Sequence, residues 1–260
     1  QGYFTAPDYQ ALNNATDLLA RQRFEHRAFD QWLSHNVTTH KKPGYAIVTL
    51  TLKETGTPPG DVSDRQLEQI ADLADEYSFG EARVTHHQNL VLADVRQDQL
   101  FELWQALQPI GFATPNLDTL TDVICCPGGD YCALANAKSI PVAESIQRRF
   151  DDLDYLYDLG RIDLNISGCM NACGHHHVGH IGVLGVDKKG EEFYQISLGG
   201  SSQHDASIGK ILGPSFARDD MPEVVAKLIG VYVEKRTEEE EFLDTYRRIG
   251  IQPFKEKVYA

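Results

Sequence analysis

Five cysteines, Cys125, Cys126, Cys132, Cys169 and Cys173, fall within 49 consecutive positions of a 260-residue chain that has no others. Cysteines used only as small buried hydrophobes would scatter along the sequence. Confinement to one region points instead to thiolate chemistry at a metal, a cluster or a nucleophile. The odd count argues against a disulfide framework and for a reducing compartment, which predicts a cytoplasmic location. Residues 1–9 lack the charged-then-apolar pattern of a secretory signal. No apolar run approaches the ~20 residues that a membrane-crossing helix needs. With 38 acidic against 24 basic residues, the formal net charge is −14, so no chain-wide positive field exists to grip nucleic acid. Neither a membrane nor a nucleic acid is expected as a partner.

The spacing narrows the chemistry. Cys126 and Cys132 bracket Pro-Gly-Gly-Asp-Tyr, Cys169 and Cys173 bracket Met-Asn-Ala, and 36 residues separate the two pairs. Four thiolates can hold a cubane iron–sulfur cluster, one on each iron. Pro127, Gly128 and Gly129 in the first loop, and Gly168 and Gly174 around the second pair, let backbone amides approach sulfur closely. A four-cysteine zinc site usually leaves two to four residues within each pair, so the five-residue gap disfavours it. A mixed zinc site would draw on Cys169, Cys173 and the run His175, His176, His177 and His180. We expect those histidines to form a partly buried, hydrogen-bonding layer around the cysteine loop instead. Cys125 with Cys132 would give a six-residue gap, and spacing alone does not decide between Cys125 and Cys126.

Around this region the pattern is α+β. Residues 8–34 read as helix, with Pro7-Asp8 as a start signal. In 44–53 the alternation of Ala46, Val48, Leu50 and Leu52 predicts a strand. Ser63 and Gln66 form a capping box ahead of a stripe of Leu67, Ile70, Ala71 and Ala74. Residues 82–85 and 90–95 read as neighbouring strands, and Leu100, Leu103, Trp104 and Leu107 as a helix ending near Pro109. That order outlines a ferredoxin-like module. Beyond it, 133–150 is helix-prone with a break or restart at Pro141, 161–167 is a strand, and 178–186 with 191–198 form a hairpin around Asp-Lys-Lys-Gly. Helices at roughly 221–235 and 238–248 close the chain, with the glutamates at 238–241 read as a solvated helix start. The expected domains are 1–35, a helical segment or linker; 36–118, ferredoxin-like; and 119–260, an α/β cluster-binding domain.

The segments CCPGGDYC and ISGCMNACGHHHVGHIGVLG resemble the C-terminal half of the siroheme-dependent nitrite and sulfite reductases. The Gly168-Cys169-Met170-Asn171-Ala172-Cys173-Gly174 setting carries most of that resemblance. The segment ARVTHHQNLVLADV is similar to the strand-turn-strand of the family's ferredoxin-like repeats, so the likeness covers about 36–260. It implies that Cys126, Cys132, Cys169 and Cys173 bind a 4Fe-4S cluster, and that Cys173 is also the axial ligand of the siroheme iron. It implies six-electron reduction of sulfite to sulfide, or of nitrite to ammonia, with electrons from a ferredoxin or a flavoprotein. Asn171 would hold the loop or touch the cofactor, and Gln88 and Asn89 would face the macrocycle unless they serve the turn itself. For His86 and His87 the turn is the expected role.

One departure shapes the functional expectation. Family members resemble two fused copies of this arrangement, and this sequence carries one. The absent copy normally supplies the Arg and Lys residues that clamp the anionic substrate; here Lys41-Lys42, Lys188-Lys189 and Arg247-Arg248 are scattered pairs. No residue of this half is therefore assigned as catalytic. The chain, which starts at Gln1, is expected to be part of a longer reductase; a separate subunit or a homodimer are the other ways to complete it. Sulfite is preferred over nitrite as substrate. The readings from other classes are a non-catalytic electron carrier and a structural zinc domain, with the related cobalamin-pathway oxygenases as a minor enzyme alternative.

Overall fold

The computed structural model describes residues 7–260, which divide into two compact units: residues up to 54 with 61–115, and 55–60 with 116–260. The first unit contains α1 (Thr16–Glu25), α2 (Arg27–Asn36), β1 (Val37–Thr39), β2 (Tyr45–Leu50), α3 (Asp64–Tyr77), β3 (Arg83–Val84), β4 (Leu90–Arg96) and α4 (Leu100–Leu107). Its sheet is antiparallel throughout, in the order β1-β2-β4-β3. β2, α3, β3, β4 and α4 follow the ferredoxin-like sequence, and β1 takes the place beside β2 where that fold's last strand pairs. Ala46, Val48, Leu50 and Leu52 are all buried, as their alternation requires. The capping box forms, with the Gln66 N–H donating to Ser63 Oγ and the Gln66 carboxamide accepting from the Ser63 N–H.

Two expectations change here. Of the stripe on α3, Ile70 and Ala74 are buried while Leu67 is 52 % exposed, because the inward face runs on through Leu73 and Tyr77. Residues 8–34 are not one helix. The stretch 7–15 is irregular and bonded to the sheet: the Gln10 N–H donates to Tyr45 Oη at 3.1 Å and the Ala15 N–H to Gln97 Oε1 at 3.0 Å. Such bonds satisfy the backbone as well as a helix would. Nor is the span to 35 a linker, since Phe29 and Trp32 of α2 are completely buried with Leu92, Leu103 and Leu107. The part of that span before Pro7 lies outside the described residues.

The second unit holds β5 (Ile124–Cys125), α5 (Ile140–Arg149), α6 (Leu153–Leu159), β6 (Leu164–Ser167), β7 (Ile181–Lys188), β8 (Glu191–Leu198), β9 (Lys210–Ile211), β10 (Phe216–Ala217), α7 (Met221–Lys235), α8 (Phe242–Ile249) and α9 (Gln252–Tyr259). The sheet order is β10-β8-β7-β6-β5, with β9 also on β8. β5, β6 and β7 run parallel, and β7-β8 is the expected hairpin. Its turn residues Lys189 and Gly190 both have positive φ, 61° and 87°, as a two-residue turn between twisted strands requires. Pro141 starts α5 rather than breaking a longer helix; 133–139 is loop, because those residues bond to the second cysteine segment. The helix read at 238–248 begins later, at Phe242. Glu240 is not a freely solvated charge: it accepts from Arg248, from Thr245 Oγ1 at 2.9 Å and from the Thr237 N–H at 3.0 Å. The Arg248 bond, above all, holds its carboxyl down at about 2.

Trp32 fixes α2 to the first unit. Trp32→Ala is expected to cost about 3–5 kcal/mol in chemical denaturation. Trp32→Phe should cost clearly less, because it also removes an indole N–H that is buried with no acceptor among the described residues.

Candidate metal centre

Parallel pairing of β5 with β6 (Ile124↔Asn165, Cys125↔Ile166) sends both strands out of the sheet at the same edge. Each strand end carries one cysteine pair. Cys126 follows β5 directly and is 9 % exposed, its N–H donating to the Ile166 carbonyl at 3.1 Å. Gly168 and Cys169 follow β6. The Gly168 N–H donates to Cys126 Sγ at 3.1 Å, so one loop's backbone meets the other loop's sulfur. The loops are tied a second time: the Asn136 and Ala137 N–H groups both donate to the Gly168 carbonyl, at 2.9 and 3.0 Å. The carboxyl ends of parallel strands are where α/β sheets place ligands.

Glycine is required at the junction. A Cβ on Gly168 would lie 2.6 Å from the Ala137 carbonyl oxygen and 2.8 Å from Gly128 Cα. Gly128 has φ +56° and would itself run into Ser139. Within the first loop the Cys132 N–H donates to the Gly128 carbonyl at 2.9 Å; within the second, the Ala172 N–H donates to the Cys169 carbonyl at 3.2 Å. Cys169 is buried, Cys132 half-buried, and Cys173 exposed, as is Asn171 between them. Tyr131, Leu134 and Met170, on the same two loops, are at least 74 % exposed. Cys125 is elsewhere: it packs in the core of the second unit, and its thiol donates to the Cys126 carbonyl at 3.2 Å.

Sequence reasoning missed Ser139. It is fully buried at the N-terminus of α5, with Oγ 3.5 Å from Cys126 Sγ. A serine just before Ile-Pro is a helix-start signal, so the position was readable, although its nearness to a cysteine was not.

The four histidines separate. His175 and His177 are exposed; His176 and His180 are buried. His180 Nδ1 accepts from the Asp163 N–H at 3.2 Å, and its ring stacks on Phe242. His176 Nδ1 has no hydrogen-bond partner among the described residues. Burial, aided by the charge on His177, pushes the His176 pKa down to about 4. Burial lowers His180 as well, against the pull of Asp163. The expected hydrogen-bonding layer is therefore carried by the His180 side chain and by backbone, the His175 and His177 carbonyls accepting from Asn165 Nδ2 and the Gly209 N–H. In the first unit, Gln88 occupies the left-handed region (φ 57°) of a turn closed by its N–H to the Thr85 carbonyl. Asn89 is buried and its Oδ1 accepts from the Leu52 N–H at 3.1 Å, a structural task. The rings of His86 and His87 stand 4.1 Å apart in the same turn, and Lys53 Nζ donates to the His87 carbonyl.

Against this geometry, two family models match consecutive stretches of the chain. The nitrite/sulfite reductase ferredoxin-like half domain matches residues 42–110, and the nitrite and sulphite reductase 4Fe-4S domain matches residues 117–260. The chain belongs to the nitrite and sulphite reductase family. A sulfite reductase (ferredoxin) 2 of Mycolicibacterium paratuberculosis is 30 % identical over 203 residues, 74 % of this chain and 36 % of that protein. A ferredoxin–nitrite reductase of Synechococcus elongatus is also 30 % identical, over 181 residues, 66 % of this chain and 34 % of that protein. The chain thus spans about a third of the length of these curated relatives. The structure of the Mycobacterium tuberculosis NirA protein superposes with a TM-score of 0.70 at 26 % identity, covering 84 % of this chain and 41 % of that one. A dissimilatory sulfite reductase I shares the fold, with a TM-score of 0.67 at 16 % identity.

The family implies a 4Fe-4S cluster and siroheme, and the donor set fits a cluster. Among the described residues, no three His, Cys, Asp or Glu side chains converge closely enough to hold one metal ion. A cubane asks for something different: one thiolate at each of four separate irons. Two interlocked loops with paired cysteines and an amide already aimed at sulfur supply donors of that kind. Among the described residues, no helix is long and apolar enough to cross a membrane.

Two measurements check this site. Gly168→Ala should lower the stability of the second unit by on the order of 1–3 kcal/mol, whereas Gly230→Ala in α7, where a Cβ meets nothing within 4 Å, should raise it by about 0.5–1 kcal/mol. The second concerns pH. In the metal-free chain, His176 stays neutral when folded while its unfolded counterpart takes a proton below about 6.5. Its stabilising contribution is therefore complete above that value and is lost as pH falls toward 4. Urea midpoints at pH 7 and pH 4.5 should differ less in His176→Leu than in the native sequence.

Proposed function

We propose that this chain is the cluster- and siroheme-carrying half of an assimilatory sulfite reductase. Cys126, Cys132, Cys169 and Cys173 are its 4Fe-4S ligands, and Cys173 is also the axial ligand of the siroheme iron. The observation that carries this reading is the Gly168 N–H donated to Cys126 Sγ, because it makes two loops distant in sequence one sulfur-binding surface. Bound there, the cluster and siroheme would supply the electron storage and transfer for the six-electron reduction of sulfite to sulfide.

The chain's own residues have definable tasks. The Gly168 amide donates to the Cys126 sulfur, and the buried Ser139 hydroxyl at the start of α5 stands 3.5 Å from it, so this sulfur is fixed in place at the junction of the two loops. Burial of Cys126 and Cys169 keeps water from their sulfurs, and hydrogen bonding and burial are the levers that tune a cluster's potential. Cys173, the exposed member of the four, suits a sulfur shared with a second cofactor. Asn171 on that loop and Gln88 in the first unit's turn are assigned to the macrocycle on the family resemblance, while Asn89 holds the turn. The arginines and lysines that clamp the anionic substrate belong to the complementary half, supplied by a longer polypeptide rather than by a subunit or a second copy. Ferredoxin is the donor proposed, and the cytoplasm the location. Nitrite reduction to ammonia is the second reading, favoured by a nitrite reductase being as similar to this chain as the sulfite reductase is.

Anaerobic reconstitution tests the assignment. The native chain should take up about four irons and four labile sulfides, and Cys126→Ser should lose most of them while Cys125→Ser keeps them. Retention in Cys126→Ser with loss in Cys125→Ser would move the ligand by one residue; uptake of one zinc and no sulfide would overturn the reading. Without its complementary half the reconstituted chain should not oxidise reduced methyl viologen in a sulfite-dependent way.

A further inference from the structure

In a chain of net charge −14, a place where cations gather almost without acids calls for an explanation. The sheet of the first unit turns Ala46, Val48 and Leu50 to its helices, which leaves Ile47 on the opposite face. The irregular stretch 7–15 is fastened to the same sheet and its connecting loops, the Gly44 N–H donating to Asn14 Oδ1 at 2.8 Å. A cleft of about 760 Å³ opens there, lined by Tyr9, His40, Lys41, Lys42 and Arg83, with Asp94 its single carboxylate. A second depression of about 460 Å³ shares Thr39, His40 and Lys41 with it and adds Arg23.

Asp94 does not neutralise this cleft. It is 3 % exposed and enclosed by neighbours: Tyr9 Oη donates to its Oδ1 at 2.6 Å, His40 Nε2 lies 3.3 Å away and Arg83 4.0 Å away. The hydrogen bond to Asp94 pushes the Tyr9 hydroxyl up to about 12, so it stays a donor. The Arg83 guanidinium is engaged by Glu81. The Lys41 and Lys42 ammonium groups have no carboxylate partner among the described residues, and Lys42 Nζ stands 5.6 Å from the centre of the Tyr9 ring.

We propose that this cleft is a binding site for a small divalent oxyanion of the sulfate or phosphate type, held by Lys41 and Lys42. The cleft is far roomier than one such ion, so the lysine charges and not the closeness of its walls select the ligand. What it offers is two compact ammonium charges, which bind oxyanions as point charges, and no uncommitted guanidinium fork for a planar carboxylate. Asp94 remains an anion in the wall, offset in part by Arg83 4.0 Å away, so the oxyanion sits on the Lys41–Lys42 side of the cleft. The site uses no residue of the cysteine loops, so it stands apart from the cluster reading.

Titrating inorganic phosphate and, separately, sodium sulfate into the full chain, by calorimetry at constant ionic strength, tests the site. Saturable binding of one anion per chain is expected, weakened at least ten-fold in Lys41→Ala/Lys42→Ala and unchanged in Lys188→Ala/Lys189→Ala, a lysine pair in the second unit's hairpin. Tyr9→Phe, which takes a donor from Asp94, should weaken binding several-fold while the fold is retained by circular dichroism. Binding of both anions supports a site selecting on charge, and binding of one alone narrows the ligand to that one. No saturation with either anion, equal binding of chloride, or equal loss in both lysine-pair variants would overturn the proposal.

Discussion

The second unit depends on two short strands lying parallel. β5 contributes two residues and β6 four, yet their pairing decides which loops meet at the sheet's carboxyl edge. A register shift of one residue would turn every side chain of β5 to the other face. The sulfur now beside Gly168 would then point into the core. So short a ladder cannot hold its register alone, and the adjoining loops reinforce it: three backbone bonds and one N–H···S bond join the segment after β5 to β6 and the segment beyond it. The loops that would receive the cluster are thus also the clamp that keeps the strands aligned.

This economy explains an irregular feature of the topology. Parallel neighbours are usually joined by a helix crossing a face of the sheet. β5 and β6 obey that rule through α5 and α6, whereas β6 and β7 are joined by the cysteine loop and a single 3₁₀ turn at His176–Val178. The connection takes the position of a helix without a helix's internal hydrogen bonds, so its polar groups must be satisfied elsewhere. Asn165 Nδ2 on the His175 carbonyl, Ser167 Oγ accepting from the Gly174 N–H, and the Gly209 N–H on the His177 carbonyl do this. Burial of His176 and His180 under the same connection follows, and with it their depressed basicity.

What could be read beforehand was what local chemistry decides. The Ser63–Gln66 capping box, the hairpin around Asp-Lys-Lys-Gly (its turn narrowed in the structure to Lys189-Gly190) and the alternation of Ala46, Val48, Leu50 and Leu52 each act over a few residues, and each appears in the structure. What escaped depends on partners far along the chain. Residues 133–139 carry helix-prone residues but bond to Gly168, more than 30 positions away. Residues 8–15 lose a helix to side chains on β2 and beyond β4. α9 was not among the expected helices, although Pro253 stands at its first turn, where a proline begins a helix. In the site, cysteine identity and spacing were legible, whereas the Gly168 amide and Ser139 were not, since neither type implies a sulfur neighbour.

The choice between Cys125 and Cys126 shows how a local rule and a distant contact combine. Adjacent residues of an extended chain face opposite ways, so at most one of the two can look into the core while the other looks out. Sequence pattern cannot say which, because both orientations keep one cysteine buried. The partner strand decides. Cys125 pairs with Ile166, a completely buried residue, and takes that inward direction. Cys126 must then turn toward the loop leaving β6, where the Gly168 amide meets it. The register of a two-residue strand decides which sulfur meets the second loop, and the neighbouring thiol is left to packing.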